Sequence, residues 1–149
     1  MSEARSRVEL MHGVNLDMLG RRDPSHYGTI TLAELERQVA GFARDLGLEL
    51  RCFQTNSEAQ FVEHLHHLPG SADGVLLNPG AWTHYSWAIH DALEIAAIPA
   101  VEVHLSNVAA RDEWRRVSVI ADLCLASVAG QGVEGYREAL VRLSKELDG

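Results

Sequence analysis

A chain of 149 residues is long enough to bury a real core within one domain, and 46% hydrophobic with 23% charged residues is ordinary globular composition. Its formal net charge of −8 argues against a general nucleic-acid binder, yet leaves room for a small anionic ligand held by local arginines. No apolar run reaches the ~18–20 residues of a membrane span, and the first residues lack the apolar core of a signal peptide, so a cytoplasmic protein without membrane contact is expected.

The elements follow in chain order. Val8 to Met11 is a short apolar run that reads as a buried first strand. Thr31 with Glu34 three residues later is a capping box that opens a helix. The connection between them is about eighteen residues long, against the ~2–6 usual for a strand-to-helix loop. It carries Gly13, Gly20 and Gly28, the pair Arg21-Arg22, and Tyr27. Loops of this length are seldom kept for packing. This one, over about residues 16–28, has the composition of a lid that closes on an anion.

Leu32, Leu35, Val39, Phe42 and Leu46 form one apolar helical face, ended by Gly47. Leu48 to Gln54 is a second strand. Ser57 with Gln60 is a second capping box, and Phe61, Val62, Leu65 and Leu68 give its helix a core face. Gly74 to Leu77 is a third strand, continuously apolar as in a sheet covered on both faces. Asn78-Pro79-Gly80 ends it. Ser86 to Ala96 is a third helix, stopped before Pro99. Ala100 to Leu105 is a fourth strand, Arg111 to Arg116 a short helical turn, and Leu123 to Val128 a fifth strand. Tyr136, Ala139, Leu140, Leu143 and Leu147 mark a last helix. Cys52 and Cys124 fall in apolar strand-like runs and read as reduced core residues. Residues 1–149 form a single domain with no repeat or linker.

Strand and helix alternate throughout, which predicts an open parallel sheet with helices on both faces. Ligands in such folds bind beyond the carboxyl ends of the strands. Polar residues cluster there: Asn15, Arg22 and Tyr27 after the first strand, Asn78 and His84 after the third, and His104, Ser106 and Asn107 at the end of the fourth. Each has a bland reading. Asn78 suits a turn, His104 a packed core position, Arg21 and Arg22 a solvated pair, and Tyr27 a loop aromatic packed on the sheet. Their joint arrangement favours a site.

Two other patterns carry less. Gly130-Gln131-Gly132-Val133-Glu134-Gly135 fits a dinucleotide fingerprint, but it precedes the last helix, with no following strand and no acid ~20 residues on to hold a ribose. It reads as a tight turn with close helix packing. His64, His66 and His67 lack a metal-binding partner set, and His64 and His67 read as solvent-exposed. No Gly-x-Ser-x-Gly elbow is present.

Taken together, Gly13-x-Asn15-Leu16, Leu19-Gly20-Arg21-Arg22-Asp23-Pro24-x-x-Tyr27-Gly28, Gln54-x-Asn56-Ser57-Glu58, Asn78-Pro79-Gly80-Ala81-x-Thr83-His84 and Glu102-Val103-His104-Leu105-Ser106-Asn107 resemble the type II 3-dehydroquinate dehydratases. The match runs in order over nearly the whole chain. The resemblance implies a flavodoxin-like five-stranded parallel sheet of order 2-1-3-4-5, a homododecamer built from trimers, and no cofactor or metal. It implies trans elimination of water from 3-dehydroquinate, a small anionic substrate of the shikimate pathway, through an enolate. By that resemblance Tyr27 is the base, with Arg22 favouring its phenolate, and His104 is the acid, with Glu102 beside it. Asn15 lies near the enolate oxygen. Asn78, His84, the Leu105 and Ser106 amides and Arg115 hold the substrate, and Asp91 reaches a neighbouring subunit's site.

The chain departs from the family where His12-Gly13-Val14-Asn15 replaces Asn-Gly-Pro-Asn, which puts a titratable His12 near the site. Trp82 and Trp87 are bulkier than usual around the His84 segment and would alter the rim. The alternatives are a dehydroquinase-like protein that acts on or merely binds a related polyhydroxy acid, and a flavin or nucleotide binder. Lys145, the one lysine, lies in the last helix as a solvated residue, which argues against a Schiff-base mechanism.

Overall fold

The strands β1 (Arg7–His12), β2 (Glu49–Gln54), β3 (Gly74–Asn78), β4 (Ala100–His104) and β5 (Ala126–Ala129) pair in parallel in the order β2-β1-β3-β4-β5. They are seen in a computed structural model that describes residues 5–148. Leu10 of β1 sits between Cys52 and Leu76, and His12 between Gln54 and Asn78. Successive strand residues point to opposite faces, so the sheet builds two cores. Leu10, Leu76, Val101 and Val103 pack with α2 (Leu32–Asp45) and α5 (Val133–Asp148). Met11, Val75, Leu77 and Ala100 pack with α3 (Glu58–His67) and α4 (Trp87–Ala96). Helices on both faces explain the continuously apolar central strands. The parallel pairing is that expected from the alternation of elements, and the strand order is that implied by the family resemblance.

Side-chain caps fix where the helices begin. The hydroxyls of Thr31, Ser57 and Ser86 accept from the amides of Glu34, Gln60 and Ile89 at 3.2, 3.2 and 3.1 Å. Each such cap is worth about 1 kcal/mol. The second capping box is only half formed. Thr55 takes the Gln60 side chain, and its hydroxyl accepts the Ser57 amide at 3.0 Å in place of Gln60. Helix α4 ends on Ala97 in the left-handed region, two residues before Pro99.

Four expectations need correction. The fifth strand begins at Ala126, because Ala121–Leu123 is a 3-10 turn closed by bonds from Leu123 to Ile120 and from Cys124 to Ala121. Neither cysteine is a core residue. Cys124 lies half-buried beyond that turn, and Cys52 is exposed on β2, an edge strand paired only with β1. The long connection after β1 is also largely built. It holds a 3-10 turn, Leu16–Met18, and a one-turn helix, α1 (Pro24–Tyr27), with Pro24 at its first position and the Asp23 carboxylate accepting the Ser25 amide at 2.9 Å. The predicted turn at 111–116 is two 3-10 turns, Val108–Ala110 and Glu113–Arg116, with Arg111 between them.

The loops leaving β1 and β3 touch backbone to backbone. Gly13 donates its amide to the Asn78 carbonyl at 2.8 Å, and a Cβ on Gly13 would overlap the Pro79 carbonyl. Gly80, at φ +69°, faces the Val14 carbonyl, which would lie 2.7 Å from an added Cβ. This contact at the point where strand order reverses sets the spacing between Asn15 and Asn78. Gly13→Ala should therefore destabilise the protein by roughly 1–3 kcal/mol, read as a lower denaturant midpoint. An unchanged midpoint would mean that the two loops part freely.

Candidate active site

The carboxyl ends of β1, β3 and β4 open into one cleft of about 460 Å³, its mouth included. Asn15, Arg22 and Tyr27 enter it from the β1 connection, Asn78 and His84 from the β3 end, and His104, Leu105, Ser106, Arg111 and Arg115 from β4 and the turns beyond. This is where an open parallel sheet binds ligands.

Tyr27 sits at the C-terminal end of α1, and its hydroxyl accepts two guanidinium bonds. Arg22 Nη2 donates to it at 2.7 Å, and Arg111 Nη1 donates to the same oxygen. Arg22 also lies over the Tyr27 ring, 3.8 Å from its centre. Partial burial lowers the Arg22 pKa, Tyr27 raises it, and Arg111 and Arg115 lower it further. Positive charge is therefore concentrated at one end of the cleft. Arg115 adds to it, with its guanidinium 4.2 Å from the centre of the Trp114 ring. Its Nε is buried without a hydrogen-bond partner, and the nearest carboxylate oxygen, on Asp112, is 3.6 Å away.

His104 ends β4, buried, with Nε2 2.6 Å from Glu102 Oε2. A carboxylate only accepts, so this ring nitrogen carries a proton and Nδ1 remains for a ligand. Glu102 points to the same face two residues earlier, and Ser118 and Ser127 donate to its other oxygen at 2.7 and 2.9 Å. Burial opposes its ionisation, but the bonds from His104, Ser118 and Ser127 outweigh it and hold the carboxyl below its usual range. His84 donates from Nδ1 to the Val117 carbonyl at 2.6 Å, which leaves Nε2 an acceptor. Burial lowers its pKa against the Val117 bond, and His104 and Arg115 nearby lower it further.

The cleft thus gathers Asn15, Arg22, Tyr27, Asn78, His84, His104, Leu105, Ser106 and Arg115 from the sequence-predicted set. Glu102 stands behind His104 rather than in the cleft. Asn78 also keeps its bland role, its Oδ1 accepting the Gly80 amide at 3.0 Å. Asp91 lies elsewhere, 70% exposed on α4 and bonded to His90. Several expectations fail. His12 does not reach the cleft: β1 turns its fully buried side chain toward Glu36 of α2. Trp82 is buried edge-on against Phe61, and Trp87 is 62% exposed, so neither shapes the rim. His64 is not simply solvated. It stacks on Phe53 with ring centres 3.7 Å apart and bonds the buried Glu9 at 2.7 Å.

Arg111 is the residue that sequence reasoning missed. It was read only as the start of a short helical turn. Its spacing of four from Arg115, just past the histidine-bearing strand, was the available signal. Gly130 and Gly132, both at positive φ, serve the turn before α5, as expected. Lys145 is exposed on α5, outside the cleft.

Comparison with known proteins agrees with this geometry. The profile of the family described as Dehydroquinase class II matches residues 6–144. The chain is 46% identical over 144 residues to a 3-dehydroquinate dehydratase of Pelobacter propionicus, covering 95% of this chain and 96% of that one. It is 47% identical over 139 residues to the enzyme of the same name from Syntrophotalea carbinolica, covering 93% and 94%. The crystal structure of type II dehydroquinase from Propionibacterium acnes superposes with a TM-score of 0.90 at 39% identity, over 97% of this chain and 99% of that one. A fold, a cleft and a sequence that agree over this length make the chain a member of the type II dehydroquinase family.

Proposed function

We propose that this chain is a hydro-lyase that dehydrates 3-dehydroquinate to 3-dehydroshikimate by trans elimination through an enolate. The observation that carries the reading is the Tyr27 oxygen held by two guanidinium groups in a cleft that also contains the His104–Glu102 pair. A phenol is a weak base at neutral pH. The Tyr27 oxygen, held in place by two cationic donors, takes the proton beside the ketone. The electron pair moves into the enolate, whose oxygen Asn15 stabilises directly or through water. The enolate then collapses and breaks the bond to the departing hydroxyl. His104 protonates that hydroxyl, so the group leaves as water, and Glu102 steadies the charged imidazole. Arg115, with its unpartnered buried Nε, takes the substrate carboxylate. Asn78, His84, Ser106 and the Leu105 and Ser106 amides orient the hydroxyls and ketone. The connection over residues 16–28 acts as the lid that excludes water.

The reaction needs a single domain and no redox cofactor. No helix among the described residues is long and apolar enough to cross a membrane, in keeping with a cytoplasmic enzyme of the shikimate pathway. The proposal includes assembly into a dodecamer of trimers. Tyr85, Trp87 and Ile95, which are 57%, 62% and 66% exposed on and beside α4, offer an apolar surface for it. Asp91 of the same helix would then complete a neighbour's cleft.

The direct test is absorbance of the conjugated enone product with 3-dehydroquinate as substrate. Appearance of the enone supports the reading, and its absence at high enzyme concentration overturns it. Tyr27→Phe and His104→Ala should each lower kcat by roughly 10²–10⁴ with substrate binding changed only a few-fold. Near-normal kcat in either would remove that residue from the chemistry.

The dyad also has a signature independent of turnover. A carboxyl held below its ordinary pKa contributes stability above about pH 4.3, and that stability is lost as pH falls through the lower folded value. The wild-type protein should therefore lose stability more steeply than Glu102→Gln below about pH 4. Parallel acid limbs for the two proteins would show that Glu102 is not held charged.

A further inference from the structure

His12, Glu36 and Cys52 converge on the α2 face of the sheet, away from the cleft. His12 ends β1, Cys52 lies diagonally across on β2, two residues back in register, and Glu36 comes down from α2. Their donor atoms all lie within 4.8 Å of one another. The His12 side chain is fully buried, yet neither ring nitrogen has a hydrogen-bond partner. Glu36 Oε2 is 3.0 Å from His12 Nε2 but off the line of a ring N–H. A buried imidazole with one nitrogen beside a carboxylate at 3.0 Å, the other without a partner, and a thiol close by is an unusual use of a polar group.

We propose that His12, Glu36 and Cys52 bind one zinc ion. Imidazole nitrogen, carboxylate oxygen and thiolate sulfur are the three donor types that zinc takes, and three protein ligands with an open fourth position are an established arrangement. Tetrahedral donors sit roughly 3.3–3.6 Å apart at zinc bond lengths. The present spread closes by side-chain rotation of Glu36 and Cys52, both of which reach the surface, while buried His12 stays fixed. The edge strand gives the ion its entry and leaves the fourth position for water. On binding, the Cys52 S–H bond breaks, an S–Zn bond forms, and the proton leaves to solvent. None of the three residues lines the cleft. The ion therefore ties β1, β2 and α2 together at the root of the Asn15 loop.

The test uses full-length protein stripped by a chelator. Zinc is titrated by calorimetry, and cobalt(II) is added separately as a spectroscopic probe. The expected result is one zinc per chain, a thiolate-to-cobalt charge-transfer band, and a rise in Tm with zinc. Cys52→Ser, at an exposed position, should abolish the charge-transfer band. His12→Asn, which restores the side chain usual in the family, should weaken zinc binding by at least about tenfold, as disturbance of even the shell around a metal does. Absence of the band in wild-type protein, or equal zinc affinity in wild type and both variants, would overturn the proposal.

Discussion

Three guanidinium groups meet in one cleft of a protein whose net charge is −8. Arg22 and Arg111 share the Tyr27 oxygen, and Arg115 waits with a buried, unpartnered Nε. Like charges so placed oppose one another, and burial first, with Arg111 and Arg115 behind it, lowers the Arg22 pKa. The arrangement is relieved by negative charge, first on the Tyr27 oxygen and then on a bound carboxylate. In the proposed reaction the same constraint holds both the ligand and the base. An overall acidic surface is no obstacle, because the field that matters is local.

The fold delivers these groups from segments distant in sequence. Parallel strands bring their carboxyl ends to one rim, and the close contact of Gly13 with Pro79 locks the β1 and β3 loops together there. His104 and Glu102 share a face because strand side chains repeat every second residue. That periodicity puts a buried carboxylate behind the imidazole without any added loop. Ser118 and Ser127 complete it from two further segments, which is why its charge survives burial.

Much of this was legible in the sequence. Alternating elements predicted the parallel sheet, and strand-end polar residues predicted the rim. Five ordered motifs pointed to the family, which the comparisons then showed. What failed has physical causes. Arg111 looked like no more than the start of a helical turn because nothing local reveals that the chain folds its guanidinium back onto a tyrosine 84 residues earlier. His12 sits one residue from the cleft loop in sequence, yet strand alternation sends its side chain to the opposite use, under α2. His64 looked solvated by helical phase, but the edge strand β2 offered it Phe53 and the neighbouring β1 offered it Glu9. Cys52 looked buried because apolar neighbours do not tell an edge strand from a central one.

The central claim is that Arg22 acts through the Tyr27 oxygen. The most direct measurement is a double-mutant cycle on kcat with Arg22→Ala, Tyr27→Phe and the two combined, at saturating 3-dehydroquinate. If the two residues form one unit, the double variant should be no slower than Tyr27→Phe within a few-fold, because nothing is left for the guanidinium to activate. Losses that multiply across the cycle would show that Arg22 contributes independently and would contradict the account.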